Sequence, residues 1–134
     1  MPPLYTFEKQ RAEGDCGIAC LAMFIGRSYE DVLAAASAAE FDMQLHRRGV
    51  YLTQLVRIAD HFGVTLKRQK MFQPDEASGL LSVVLRSAAF ACPDHTVVLH
   101  EGLIFELAYQ QIWDYEDFVK DYRAKVGPLL VRVA

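Results

Sequence analysis

A cysteine stands where the sequence predicts the start of a helix. Residues 10–26 read QRAEGDCGIACLAMFIG, in which Gly14 and Asp15 interrupt the preceding segment and Gly26 closes a nearly continuous apolar run. Asp15 is a favoured N-cap residue, and glycine is common just after the last turn of a helix. A thiol at the start of a helix lies near the positive end of the helix dipole, which favours the nucleophilic thiolate. The pattern therefore predicts Cys16 as a nucleophile.

A nucleophilic cysteine needs a base, and the chain has four histidines. His46 lies in a polar, basic stretch typical of an exposed loop, and His61 stands at the end of an amphipathic helical run. His95 begins a Val-rich segment expected to form a strand, and a base at the start of a strand suits a Cys–His pair. His100 is five residues further along, so we expect its side chain on the opposite face of that strand. His95 is therefore the predicted base, with His100 as the alternative.

These residues also resemble a known family. The block Asp-Cys-Gly-x-Ala-Cys-Leu-Ala-Met, with Gln10 upstream of Cys16 and a histidine at the start of a Val-rich hairpin strand, is similar to the bacteriocin-processing cysteine peptidases. That resemblance implies a papain-like fold and cleavage of leader peptides after a double glycine, usually by the N-terminal domain of an export ABC transporter. It further implies that Cys16 is the nucleophile and His95 the base. Gln10 and the backbone N–H of Cys16 would form the oxyanion hole.

The chain departs from the family pattern at the acidic residue that orients the histidine. The family usually has Asp followed by Pro on the strand after the histidine, whereas this sequence has Glu106 followed by Leu107. A glutamate can accept a hydrogen bond from the imidazole Nδ1–H and orient the ring as an aspartate does. Glu106 is therefore the expected orienting residue, and Asp114 takes that role if the strand register differs.

Two further departures concern the substrate. No transporter sequence follows the domain in this chain, so we expect its substrate to arrive without a membrane partner in cis. The hairpin between the two strands of the site is short, which leads us to expect a more open cleft with less strict selection of glycine.

These observations lead to three functional hypotheses. The first is a thiol hydrolase that cleaves a peptide or amide bond with a Cys–His–acid triad, after Gly-Gly where the family specificity is kept. The second is a non-catalytic module that binds a peptide in a papain-like cleft. The third is a protein deamidase or transferase that uses the same triad.

The remaining cysteines suggest one alternative for the site. Cys16, Cys20 and Cys92 with His95 form a Cys3His set, which is a zinc-binding complement. However, Cys20 lies in the apolar context Ala-Cys-Leu-Ala, typical of a small buried residue, and Cys92 precedes a proline expected in a loop. We therefore expect neither a metal nor another cofactor.

Composition limits the class of protein. A chain of 134 residues that is 52% hydrophobic fits a single domain over 1–134. Its net charge of −3 argues against nucleic acid as the main partner. The sequence shows neither a signal peptide nor an apolar run long enough to cross a membrane. An odd number of cysteines is typical of a reducing compartment, so we expect a cytoplasmic protein that acts on a peptide or protein.

Hydrophobic periodicity and turn residues predict an α+β fold of the papain-like kind, with N-terminal helices packed on a mostly antiparallel sheet. A Glu101-Gly102 turn is expected between two strands of the sheet. Predicted helices cover 16–25, 29–39, 52–62 and 115–124, with an irregular loop over 41–50. Predicted strands cover 64–71, 80–86, 95–100, 103–107, 111–113 and 128–133.

Overall fold

The computed structural model describes residues 16–38, 52–86 and 94–133, with the backbone alone at Cys16 and Asp94. Gln10, Cys92 and the predicted loop over 41–50 lie outside these ranges. The elements, in chain order, are α1 Cys16–Ile25, α2 Tyr29–Ala38, α3 Leu52–His61, β1 Thr65–Gln69, β2 Ser78–Val84, β3 Asp94–His100, β4 Leu103–Glu106, β5 Gln111–Asp114, α4 Tyr115–Asp121 and β6 Lys125–Val133. The predicted α+β class is confirmed.

Helix α1 has the bounds predicted from its apolar run. Every residue from 17 to 23 is buried, so two consecutive turns are enclosed on all sides. Each fully buried large side chain here, such as Ile18 and Leu21, contributes about 1.5–3 kcal/mol to folding. The helix ends at Ile25, and Gly26 follows with a φ of +73° that suits a residue without a Cβ.

The next two helices also follow local sequence signals. The backbone N–H of Asp31 donates to Oγ of Ser28 at 3.1 Å, which is an N-cap bond at the start of α2. Helix α3 ends at His61, and Gly63 follows with a φ of +73°. Helices α1, α2 and α3 pack against one another, and α1 lies against β3.

The sheet has the strand order β1-β6-β2-β3-β4-β5, and each neighbouring pair is antiparallel. One face packs on α1–α3 and the other face on α4, so a hydrophobic cluster lies on each side. Strand β3 contributes to both clusters, because Val98 faces the three helices whereas Val97 and Leu99 face α4.

Two element boundaries differ from the predictions by three residues, and the others differ by two or fewer. Strand β6 begins at Lys125 rather than at 128, because Gly127 and Pro128 together oppose Ser82 in a bulge instead of starting the strand. Proline, which lacks an N–H, is tolerated at such a bulge. Helix α4 ends at Asp121 rather than at 124, and Arg123 then adopts a φ of +50°.

Candidate active site

His95 lies at the start of β3, where its strand pairs it with Val83 of β2. The alternation of side chains directs it to the same face as Val97 and Leu99, which is the face covered by α4. Its side chain is buried, with only 5% of the residue exposed. Few histidines are buried this deeply without a polar partner, because an unsatisfied ring nitrogen is costly in the core.

That partner is Glu106, the last residue of β4. Its Oε1 lies 2.7 Å from Nε2 of His95, and its side chain is fully buried. Oε1 also accepts a hydrogen bond from the backbone N–H of Ala108 at 2.9 Å, and Oε2 accepts one from Tyr109 at 2.8 Å. Both carboxylate oxygens are therefore held by the turn that follows β4. Glu106 is therefore the carboxylate in contact with the imidazole.

The ring nitrogen in this contact differs from the one predicted. Glu106 was expected at Nδ1, whereas in the structure it lies at Nε2. Because both oxygens of Glu106 accept backbone N–H groups, the carboxylate acts as an acceptor and Nε2 is the donating nitrogen. Nδ1 is then the ring nitrogen that can take up a proton.

A tight turn joins β4 to β5 and presents the two backbone donors. Gln110 in this turn has a φ of +53°, a left-handed conformation that reverses the chain within a few residues. Strand β5 then runs back along β4, with Gln111 opposite Glu106. The turn contains neither glycine nor proline, the residues that usually indicate a turn in a sequence. These backbone contacts could therefore not be predicted from sequence.

Helix α1 approaches the same end of β3. The thiol of Cys20 donates to the backbone carbonyl of Thr96 at 3.2 Å, and Thr96 directly follows His95. Cys20 is fully buried, as predicted for a small core residue. Cys16 is the first residue of α1, one turn before Cys20 on the same side of the helix. The side chain of Cys16 and all of Gln10 lie outside the described part of the molecule.

The alternative base, His100, has different surroundings. Its Nδ1 lies 2.6 Å from Oγ of Ser78, its partner across the β2–β3 pair, and its Nε2 lies 3.5 Å from Oε2 of Glu101. Glu101 is in the two-residue turn between β3 and β4, and its side chain is 60% exposed. Being five residues from His95, His100 lies on the other face of the strand, as predicted.

The predicted turn at Glu101-Gly102 is confirmed, since both residues have positive φ values of 45° and 86°. However, this turn lies at the opposite end of β3 from His95, about 17 Å away along the strand. The short hairpin therefore does not shape the surroundings of His95, and the expected widening of the cleft does not follow from it.

Asp114, the alternative orienting residue, is also at the far end of the hairpin. It pairs with Leu103 at the start of β4 and occupies the N-cap position of α4. The register therefore separates Asp114 from His95 by the length of β4, and Glu106 is the carboxylate at the imidazole.

An aromatic cluster from β5 and α4 lies on the face to which Glu106 points. The rings of Trp113 and Phe118 each lie within 5.3 Å of the ring of Tyr122 in edge-to-face contacts. Burial raises the pKa of the Tyr122 phenol, and the negative charge of Glu106 raises this pKa further. The proximity of Tyr122 to Glu106 depends on how α4 packs on the sheet, which the sequence pattern does not reveal.

Of the four residues in the alternative Cys3His zinc site, the structure describes the side chains of two, Cys20 and His95. The Cys20 thiol contacts a backbone carbonyl and the His95 Nε2 contacts a carboxylate. Across residues 16–38, 52–86 and 94–133, no group of three or more His, Cys, Asp or Glu side chains is arranged to hold a metal ion.

The family can be assigned from the sequence itself. The model of the peptidase C39 family matches residues 5–99, a segment that contains Gln10, Cys16 and His95 and ends before Glu106. The chain belongs to the peptidase C39 family. As a C39 member it is a cysteine peptidase, in agreement with the predicted enzyme class.

Comparison with solved structures agrees with this assignment. The fold is similar to the crystal structure of a double glycine motif protease from an AMS/PCAT transporter in complex with the leader peptide. The TM-score is 0.60 at 20% identity, over 96% of this chain and 90% of that chain. At this identity the likeness establishes the papain-like fold alone. None of the curated proteins gives a significant sequence match.

The helices of this C39 peptidase are short. The longest described helices have ten residues, and no helix in the described ranges has both the length and the apolar character needed to cross a bilayer.

Proposed function

We propose that this C39 peptidase cleaves peptides after Gly-Gly, using Cys16 as nucleophile, His95 as base and Glu106 as the orienting residue, within one domain over 1–134. The side-chain amide of Gln10 and the backbone N–H of Cys16 bind the oxyanion. The substrate is a peptide or protein segment, and no cofactor takes part.

The observation that carries this proposal is the buried contact between His95 and Glu106. A carboxylate that accepts from Nε2 at 2.7 Å fixes both the tautomer and the plane of the imidazole. With Nε2 donating to Glu106, Nδ1 is the ring nitrogen that would accept the proton of the Cys16 thiol. The two backbone N–H groups on Glu106 hold the carboxylate still, which supports an orienting role.

The packing of α1 supports Cys16 as the partner of His95. The thiol of Cys20 contacts Thr96, and Cys16 lies one helical turn, about 6 Å, before Cys20. His95 is the second residue of β3, which begins at Asp94, so it lies at the rim of the sheet. At this rim the sheet no longer separates its two faces. A thiol at the start of α1, on one face, can therefore meet the His95 side chain, which points to the other face. We expect Sγ of Cys16 and Nδ1 of His95 within about 4 Å of each other.

The proposed reaction has two steps. The thiolate of Cys16 attacks the carbonyl carbon of the glycine before the cut, and the C–N bond breaks as the imidazolium of His95 gives its proton to the leaving amine. Water then attacks the thioester, with His95 taking a proton from the water and returning it to the thiol. The oxyanion formed in each step accepts hydrogen bonds from Gln10 and from the Cys16 backbone.

The expected substrate follows from the family and from the solved relative. That relative is a double glycine motif protease bound to a leader peptide, and glycine is the residue that a narrow cleft accepts most readily at the cut. A panel of peptides with Gly-Gly at the centre, compared with Ala-Ala and Val-Val counterparts, tests this specificity by mass spectrometry of the products.

The decisive variants are Cys16→Ala and Cys20→Ala. Cys16→Ala is expected to abolish cleavage, whereas Cys20→Ala should leave it within a few-fold of the parent, because Cys20 is enclosed in the core. Iodoacetamide should label Cys16 faster than Cys20 or Cys92.

Two outcomes would contradict the proposal. If no peptide is cut but Cys16 is alkylated rapidly at neutral pH, a deamidase or transferase reaction fits better. If Cys16 is also unreactive, a peptide-binding module fits better.

A further inference from the structure

The two edges of the sheet are protected differently. At one edge, β1 carries Lys67 and Arg68, with Lys70 directly after the strand. Charged side chains of this kind prevent an exposed edge from pairing with another strand. At the other edge, β5 reads Gln-Ile-Trp-Asp and has no basic residue. In the described ranges, no strand pairs with the outer side of β5.

The unprotected edge also exposes apolar surface. Ile112 in β5 is 52% exposed, and Tyr109 in the preceding turn is 51% exposed. The backbone N–H of Tyr109 is one of the donors to Glu106, so this surface begins directly beside the proposed catalytic residues. Exposed apolar side chains on an edge strand are typical of sites that bind extended peptides.

The far end of β5 is strongly acidic. A cavity of about 260 Å³ lies there, and it is lined by Asp75, Gly102, Asp114, Tyr115, Glu116 and Asp117. Four of these six residues carry carboxylates and none is basic. A cavity lined by one sign of charge attracts side chains of the opposite sign, here lysine or arginine.

We propose that the outer edge of β5 is an accessory binding strand for an extended segment of the peptide substrate, with a basic residue of that segment in the acidic cavity. This inference rests on the proposed peptidase function and adds a site remote from the cut bond. The added segment would pair with β5 through backbone hydrogen bonds and cover Ile112.

The position of the basic residue follows from sheet geometry. A strand added outside β5 lies three strand spacings from β3, about 14 Å, and the acidic cavity is about 17 Å from His95 along the strand direction. The direct span of about 22 Å corresponds to roughly six to seven extended residues between the cut bond and the lysine or arginine.

Binding can be measured without turnover by using the Cys16→Ala protein. The probes are fluorescein-labelled Gly-Gly peptides with a Lys-Lys pair about six residues before the glycines, or about six residues after them, and Ser-Ser counterparts of both. One Lys-Lys peptide should bind about threefold to tenfold more tightly than its Ser-Ser counterpart, and the difference should shrink at high salt. Amide NMR shifts should concentrate at Gln111–Asp114.

Matched variants identify the surface. Asp114→Asn with Asp117→Asn should remove the preference for Lys-Lys, and the Asp114 side chain makes no cap hydrogen bond whose loss would destabilise α4. Asp121→Asn, at the other end of α4, should leave the preference unchanged. Ile112→Ser should weaken every peptide, whereas Met71→Ser, an exposed apolar residue after β1, should weaken none.

The possible results distinguish a failure of the accessory binding strand from a failure of the proposed peptidase function. Equal affinity for Lys-Lys and Ser-Ser peptides, with cleavage still dependent on Cys16, would overturn the accessory strand alone. Self-association that is lost in Ile112→Ser would also overturn it, because a second copy would then occupy β5. Peptide binding that maps to β5, in a protein whose parent cuts no peptide, would support the accessory strand and contradict the proposed peptidase reaction.

Discussion

The two ends of β3 carry similar residues in different surroundings. At one end, His95 contacts Glu106, and both side chains are buried. At the other end, His100 contacts Ser78 and Glu101, but Glu101 is a mostly exposed turn residue. Each histidine therefore has a carboxylate within 4 Å, and residue type alone does not distinguish the two pairs.

The difference lies in what holds each carboxylate. Glu106 accepts two backbone N–H bonds, so its position is fixed independently of the imidazole. Glu101 approaches His100 at 3.5 Å across a solvated turn, where such a pair contributes little. An orienting carboxylate requires this kind of anchoring, and for that reason we expect catalysis to depend on the first pair and not on the second.

The largest expected effect comes from exchanging the two histidines separately for glutamine. His95→Gln should lower kcat/KM for a Gly-Gly peptide by about 10³-fold, because the amide can donate to Glu106 but cannot act as a base. His100→Gln should change kcat/KM by less than threefold. Steady-state kinetics on both variants, with circular dichroism to verify folding, checks this. Equal losses in the two variants would contradict the assignment of the base.

The two carboxylates provide the second test. Glu106→Gln should lower kcat by roughly 10- to 100-fold, because the amide nitrogen of glutamine cannot accept the backbone N–H bonds that the carboxylate accepts. Leaving a buried donor unsatisfied should also reduce the free energy of unfolding by about 1–3 kcal/mol. Glu101→Gln should change neither quantity measurably. Kinetics and urea unfolding of both variants give the comparison.

The variant Glu106→Asp sharpens this result. It restores the residue type usual in the family but shortens the side chain by one methylene, so the carboxylate cannot reach both the imidazole and the two backbone donors. We expect kcat to fall despite the retained charge. Full activity in Glu106→Asp would show that the backbone anchoring is dispensable.

The smallest expected effect concerns Tyr122, which lies near Glu106. Burial and the charge of Glu106 raise the pKa of the Tyr122 phenol above its ordinary value of 10.0, and burial also raises the pKa of Tyr115. A raised pKa in the folded state means that stability is complete below pH 10 and declines as the pH rises through the folded-state pKa.

Tyr122→Phe should therefore make the free energy of unfolding decline less steeply above pH 10, with Tyr115 accounting for the remaining slope. Glu106→Gln should lower the pKa of Tyr122 in an ultraviolet titration, whereas Glu101→Gln should not. An unchanged titration in Glu106→Gln would show that the two groups do not interact.

Much of the fold could be predicted because its signals are local. The apolar run and Gly26 predicted α1, and its observed bounds are the same. The start of β6 could not be predicted in the same way, since a Gly-Pro pair usually ends a strand. Here it forms a bulge opposite Ser82, which depends on a neighbour distant in the sequence.

In the site, too, some features could be predicted from sequence and others could not. His95 and Glu106 could be paired from sequence because both lie on adjacent strands of one hairpin, at the end away from its turn. The choice of Nε2 could not be predicted, because it depends on how the ring is rotated in the core. The donors at Ala108 and Tyr109 are backbone groups, whose direction depends on the conformation of the turn and not on side-chain identity.

The enclosure of α1 affects when the peptidase can be active. Because residues 17–23 are all buried, these two turns of the helix cannot detach or shift without exposing core side chains. Its amide protons should exchange only through global unfolding. The reactivity of Cys16 should then appear and disappear in the same cooperative transition as the whole fold, so a partly folded chain would carry an ordinary thiol and no proteolytic activity.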